Sequence, residues 1–169
     1  LEFANSNTGY ASSVYSGKFY KTTNGGTVWN QVIIQSPTLS ASGFDFIDAD
    51  NILTVSKYGL IEKTTNGGIN WQNYSNILYS SISSICFPNI NTGFAAGYKY
   101  LQTKSIFKTT DQGSNWFELT SAPDSNFYSI YFLDANTGFA GGYYRDIYKT
   151  TNSGLSWNIL VLQENSIIR

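Results

Sequence analysis

The nonapeptide KTTNGGTVW, Lys21 to Trp29, returns as KTTNGGINW at Lys63 to Trp71, KTTDQGSNW at Lys108 to Trp116 and KTTNSGLSW at Lys149 to Trp157. The four copies hold every tryptophan of the 169-residue chain, at spacings of 42, 45 and 41 residues. A period of about 40 to 50 residues marks a tandem array of small sheets. A second element precedes each copy: FANSNTGYA from Phe3, FIDADNILT from Phe46, FPNINTGFA from Phe87 and FLDANTGFA from Phe132. Each unit therefore reads as four short apolar runs separated by Asn, Asp and Gly turns, which is an antiparallel meander.

Alternation supports strands. Phe19, Ile61, Ile106 and Ile147 form one column two residues before the repeated lysine, where a strand turns them into a core. Gly and Asn interrupt the chain too often for a long 3.6-residue apolar period, and β-branched and aromatic residues fill the runs. Four-stranded meanders at this period predict an all-β fold, a β-propeller with four antiparallel blades in this chain. The expected blades are about 1–40, 41–80, 81–122 and 123–163, with 164–169 completing the first strand at the 1–3 end. In the nonapeptide, Thr22 and Asn24 are expected to hydrogen-bond a tight turn, Gly26 to take the left-handed conformation and Trp29 to fold back as a plug. The same roles fall to Thr64, Asn66, Gly68 and Trp71, to Thr109, Asp111, Gly113 and Trp116, and to Thr150, Asn152, Gly154 and Trp157. The residue before that glycine varies among Gly25, Gly67, Gln112 and Ser153, so only the second position is expected to need positive φ.

Composition narrows function mainly by exclusion. Charged residues make up 12%, the formal net charge is -1 and only two arginines, Arg145 and Arg169, are present. No phosphate-neutralising stripe is available, so no nucleic-acid partner is expected. No apolar run reaches the roughly 20 residues that span a bilayer. The lack of an initial Met or signal-like segment reads as a mature product or an excised piece. With no histidine and one cysteine, imidazole catalysis, histidine metal sites and an internal disulfide are absent. Cys86, in SSICFPN, is expected to pack as a small hydrophobe. Asp48 to Asn51, DADN, offers oxygens suited to calcium, but it fills the slot of NSNTG, NINTG and DANTG and reads as a turn. No cofactor or metal is expected. Low charge with abundant Asn, Thr and Tyr points to an extracellular or cell-surface protein.

The pattern Ser/Thr-x-Asp/Asn-x-Gly-x-x-Trp resembles the Asp-box, or BNR repeat, of sialidases, sortilin-type receptors and xyloglucanases. Residues 132 to 157 are more similar still to the repeat of photosystem II assembly-factor-like propellers and secreted bacterial surface proteins. The resemblance covers nearly the whole chain and implies that the box is a structural hairpin between third and fourth strands. It implies little about reaction: a sialidase-like site needs three arginines, and the assembly role implied by those relatives calls for a basic patch that this chain lacks.

Variable segments are the candidate binding elements, since repeats diverge there on an otherwise constant scaffold. They lie between second and third strands, at 14–18, 57–59, 98–105 and 143–146, on the end opposite the nonapeptide turns. Tyr15, Tyr58, Tyr98, Tyr100, Tyr143 and Tyr144, with Arg145, could stack on a glycan or protein partner. A rival reading is a carbohydrate-active enzyme using Asp146 with Glu62 or Asp124; a third is an architectural repeat of a larger surface protein or filament. Joining Ser166 to Arg169, SIIR, onto LEFANSNTG of Leu1 to Gly9 aligns without a gap on SISSICFPNINTG of Ser81 to Gly93. The chain is thus expected to close as a four-bladed ring, to pair with a second copy, or to continue into adjoining repeats.

Overall fold

The computed structural model describes residues 1–13, 18–34, 41–56, 58–74, 80–99, 105–143 and 146–160. Sixteen strands form four sheets. The first blade holds β1 (Glu2–Phe3), β2 (Gly9–Ser12), β3 (Phe19–Thr22) and β4 (Asn30–Val32). The second holds β5 (Ala41–Phe46), β6 (Ile52–Ser56), β7 (Ile61–Thr64) and β8 (Gln72–Asn73). The third holds β9 (Ser80–Cys86), β10 (Gly93–Lys99), β11 (Ile106–Thr109) and β12 (Phe117–Glu118), and the fourth β13 (Phe127–Phe132), β14 (Gly138–Gly142), β15 (Ile147–Thr150) and β16 (Asn158–Leu160). Every sheet is a four-stranded antiparallel meander in sequence order. The blades stack face to face, first strands inward, which is the β-propeller architecture the repeat predicts.

Three apolar layers glue successive blades. Tyr10, Phe19 and Ile34 of the first meet Ala41, Ile52 and Trp71 of the second. Leu53, Val55 and Ile61 meet Ile82, Ile85, Ala95, Phe107 and Trp116. Phe94, Ile106 and Leu119 then meet Phe127, Ile130, Phe132 and Ala140, with the Phe94 and Phe132 rings stacked at 3.5 Å. The expected column is Phe19, Ile61 and Ile106, all fully buried; its fourth member, Ile147, is only half-buried. Substantial packing joins successive blades, and among the described residues none of that extent joins the fourth blade to the first. The segment 164–169, expected to complete the first strand, lies outside the described residues.

The nonapeptide forms the same turn four times. Thr22 Oγ accepts from Gly26 N at 3.0 Å and donates to Asn24 Oδ1 at 2.9 Å, and Asn24 Oδ1 accepts from Val28 N at 2.9 Å. Thr64 with Asn66, Thr109 with Asp111 and Thr150 with Asn152 repeat these bonds within 2.8–3.0 Å. All four threonines are buried. The turn abuts the first-to-second-strand turn of its own blade: Gly25 N, Gly67 N, Gln112 N and Ser153 N donate to the carbonyls of Asn7, Asp50, Asn91 and Asn136. Those neighbouring turns close on Asn5, Asp48, Asn89 and Asp134, whose Oδ1 atoms each accept two turn amides. DADN is one of these turns, with Asp48 held further by the Asn51 amide.

The expectation that one turn position needs positive φ is corrected by the backbone. Both positions have it: 67° and 88° at Gly25 and Gly26, 63° and 92° at Gly67 and Gly68, 60° and 81° at Gln112 and Gly113, and 61° and 83° at Ser153 and Gly154. The first sits at the left-handed helical minimum, which a side chain can enter at a cost; the second lies at larger φ and has glycine in every copy. A Cβ on Gly113 would also strike Leu53 of the preceding blade. The plugs are unequal as well. Trp71 and Trp116 are buried, with Nε1 donating to Gly68 O and Gly113 O, whereas Trp29 and Trp157 are half-buried. Among the described residues Trp157 Nε1 has no partner, and Gly154 O accepts from Ser121 Oγ at 2.6 Å instead.

Gln112→Gly should therefore raise the unfolding free energy by about 1 kcal/mol by relieving the left-handed strain. Gly113→Ala should lower it by more than that. Urea denaturation of the two variants checks both signs, and a destabilised Gln112→Gly protein would contradict the turn analysis.

Candidate functional site

Two places combine exposure with polar or aromatic chemistry. The first is the end formed by the second-to-third-strand connections. Tyr58 is 71% exposed and is presented by a tight turn in which Ser56 Oγ accepts from Tyr58 N and Leu60 N, both at 3.3 Å. Gly59, at φ 74°, closes that turn through its bond to Ser56 O. Tyr98 is 40% exposed near the end of β10, opposite Ser81. Tyr143, 58% exposed, follows β14 and lies 6.2 Å ring to ring from Tyr128. Tyr58, Tyr98 and Tyr143 belong to equivalent connections of consecutive blades, so they share one end of the arc. Tyr58 and Tyr98 make no ring contact with each other. Tyr15, Tyr100, Tyr144 and Arg145 lie outside the described residues.

Tyr128 was not among the sequence candidates. The β13–β14 register shifts between Phe127 and Ser129, and this bulge puts Tyr128 outside the alternation so that it faces out. The sequence carries no signal of it, since unbroken alternation back from Phe132 and Ile130 would turn Tyr128 inward. The carboxylates of the enzymatic reading stand on separate segments. Glu62 is buried within β7, Asp124 is exposed in the connection to the fourth blade, and Asp146 accepts from Tyr148 Oη at 3.3 Å.

The second place is a cavity of about 290 Å³ between the inner strands of the first three blades. Ser12, Ser42, Ser83 and Ser84 line it, with Glu2 at its rim. Inner strands of a stacked array would ordinarily carry apolar residues; here hydroxyls bridge blades instead. Ser42 Oγ donates to Val55 O at 3.1 Å and to Ile82 O of the next blade, and Ser84 Oγ accepts from Ile130 N at 3.2 Å. Beside the cavity, Asp45 accepts from Phe46 N at 2.8 Å and from Phe87 N of the next blade at 2.5 Å. Burial raises the Asp45 carboxyl above its ordinary value despite these two amides. Glu2 is raised by burial and then by the Asp45 charge. Cys86 occupies the same column in the third blade: buried, its Sγ accepts from Phe132 N at 3.4 Å, and desolvation pushes its thiol up to about 11. Such a thiol packs rather than reacts. The sequence signal for this cavity was the run of small polar residues in SASGF and SSISSI, which turn chemistry alone does not explain.

No protein-family model matches the chain, and no curated protein sequence does. Solved propeller structures do match in fold. An ancestral GH74 enzyme superposes with a TM-score of 0.78 and 24% identity over 97% of this chain and 24% of its own. YCF48 bound to D1 peptide gives 0.71 and 16% identity over 93% of this chain and 52% of its own. A chain of the nidogen/laminin complex gives 0.65 and 14% identity over 92% of this chain and 61% of its own. This chain thus spans between about a quarter and three fifths of these structures. At such identities the likeness establishes the β-propeller fold.

A carboxyl that holds its proton more tightly folded than unfolded contributes stability fully present below its unfolded value, near 3.8 for Asp45. That contribution is lost as pH rises through the folded value. Relative to Asp45→Asn, the wild-type protein should therefore lose stability between pH 3 and pH 7. Urea midpoints of both proteins across that range check the slope, and a relative gain for wild type would contradict it.

Proposed function

We propose that this chain is a noncatalytic binding or structural propeller module of a secreted or cell-surface bacterial protein. In this reading its box-turn end is architectural, and a protein or glycan partner docks on the opposite end. The observation that carries it is the placement of Tyr58, Tyr98, Tyr128 and Tyr143, four tyrosines 40–71% exposed, on or beside the loops where the repeats diverge. Exposed tyrosines on a rigid scaffold offer large amphipathic area at low ordering cost. The propeller relatives solved with D1 peptide and with laminin support a protein partner for a scaffold of this kind. The glycosidase reading pairs Asp146 either with Glu62, which is buried in the second blade, or with Asp124, which is exposed in the connection to the fourth.

Screening the chain against a glycan array and a displayed peptide library should yield a saturable binder. Replacing Tyr58, Tyr98 and Tyr143 together by Ala should weaken that binding at least about tenfold, the scale of aromatic anchors at interfaces. Binding unchanged in the triple variant would dismiss this end as the docking site.

A further inference from the structure

The repeated lysine of the nonapeptide has a role that the turn itself does not require. Lys21 Nζ donates to Gly67 O at 2.8 Å, Lys63 Nζ to Gln112 O at 2.8 Å, and Lys108 Nζ to Ser153 Oγ at 2.5 Å with Ser153 O at 3.5 Å. Each lysine thus reaches the next blade and grips the carbonyl of its first left-handed turn residue. Lys21 and Lys108 cross an aromatic ring of their own blade to do so, Tyr10 and Phe94, each at 5.4 Å. Lys149 lies likewise over Phe139 at 5.7 Å, yet among the described residues it has no acceptor. Among the described residues, the one carbonyl of the series without a lysine is that of Gly25, on the first blade.

The apolar surfaces follow the same rule. Phe139, Ile147 and Leu160 on the fourth blade stand in the columns of Tyr10, Phe19 and Val32, which the second blade covers. Phe139 and Ile147 are half-buried and Leu160 is 38% exposed, whereas Tyr10 and Phe19 are 0% and 1% exposed. On the open side of the first blade, Phe3 is 42% exposed and Trp29 half-buried, in the columns of Phe87 and Trp116 that meet the second blade. Among the described residues, therefore, the chain carries both halves of its own blade interface, one on each outer face. We infer that a second copy of this chain docks head to tail on these faces, with Lys149 of each copy donating to Gly25 O of the other, to close a two-copy ring of eight blades. The occupant is a copy of this chain because the complementary face, down to the free carbonyl, is already present on it. Closure at two copies gives eight blades, within the four-to-eight range of closed propellers, whereas three copies would give about twelve. A heterologous interface closes into a ring when its rotation allows and otherwise extends without limit.

Light scattering on the 169-residue chain at micromolar concentration should give about twice 18.8 kDa. Lys149→Met removes the bond at both interfaces of the ring and should weaken association by at least about a hundredfold, as expected for two lost hydrogen bonds from charged donors. Leu160→Asp should abolish association without unfolding the monomer, since its side chain is partly exposed. Trp29→Asp should do the same from the other face, and mixing the two variants should restore a single heterodimer through the remaining intact interface. A monomer at all concentrations, a dimer indifferent to these substitutions, failure of the mixed variants to pair, or growth beyond two copies would each overturn the proposal. A monomer would leave these faces to further blades of a longer polypeptide.

Discussion

The bond from a lysine to the turn carbonyl of the next blade is the constraint on which the rest of the array depends. A meander alone has two apolar faces and no preferred partner. The lysine fixes the distance and rotation at which the next blade sits, because the direction of its acceptor carbonyl is set by the left-handed form of the turn. That form is in turn held by the buried threonine and by the Asn or Asp that caps the turn amide four residues on. Turn, plug and inter-blade bond are thus one unit. Its repetition at about 42 residues is the repetition of the fold.

This explains the charge pattern. Three of the repeated lysines, Lys21, Lys63 and Lys108, are committed to the same inter-blade contact and so do not add to a basic surface. Burial lowers Lys63 and Lys108 from their ordinary values, yet both stay well placed as donors because the carbonyl dipole compensates part of the desolvation. It also explains why the inner strands tolerate serine and aspartate. Ser42, Asp45, Ser84 and Cys86 each bond a backbone group of the following blade. A polar cavity beside the apolar layers then follows without unsatisfied groups.

Much of the fold was legible in the sequence because each repeated residue has a local reason. Thr, Asn and Gly announce the turn, Trp its plug, and the period the blade. What the sequence hid was relational. The repeated lysine has no local partner, so its role emerged only when adjacent blades were in place. Gln112 and Ser153 concealed the second left-handed position, since variation there reads as freedom rather than tolerated strain. The tyrosines of the loop end were legible as exposed and divergent. Tyr128 was not, because a bulge moves it, and the serine-lined cavity was not, because alternation gives no reason for hydroxyls on an inner strand.

The four lysines offer a controlled comparison, since the same substitution is made in four equivalent turns that differ only in whether a following blade is present. Unfolding free energies of Lys21→Met, Lys63→Met, Lys108→Met and Lys149→Met, measured in urea at a concentration low enough to keep the chain monomeric, test the central bond most directly. The first three should each lose about 1–3 kcal/mol, the range for a hydrogen bond from a charged group, while Lys149→Met should match wild type. An equal loss at all four positions, or none at any, would contradict the claim that the lysine acts on the next blade.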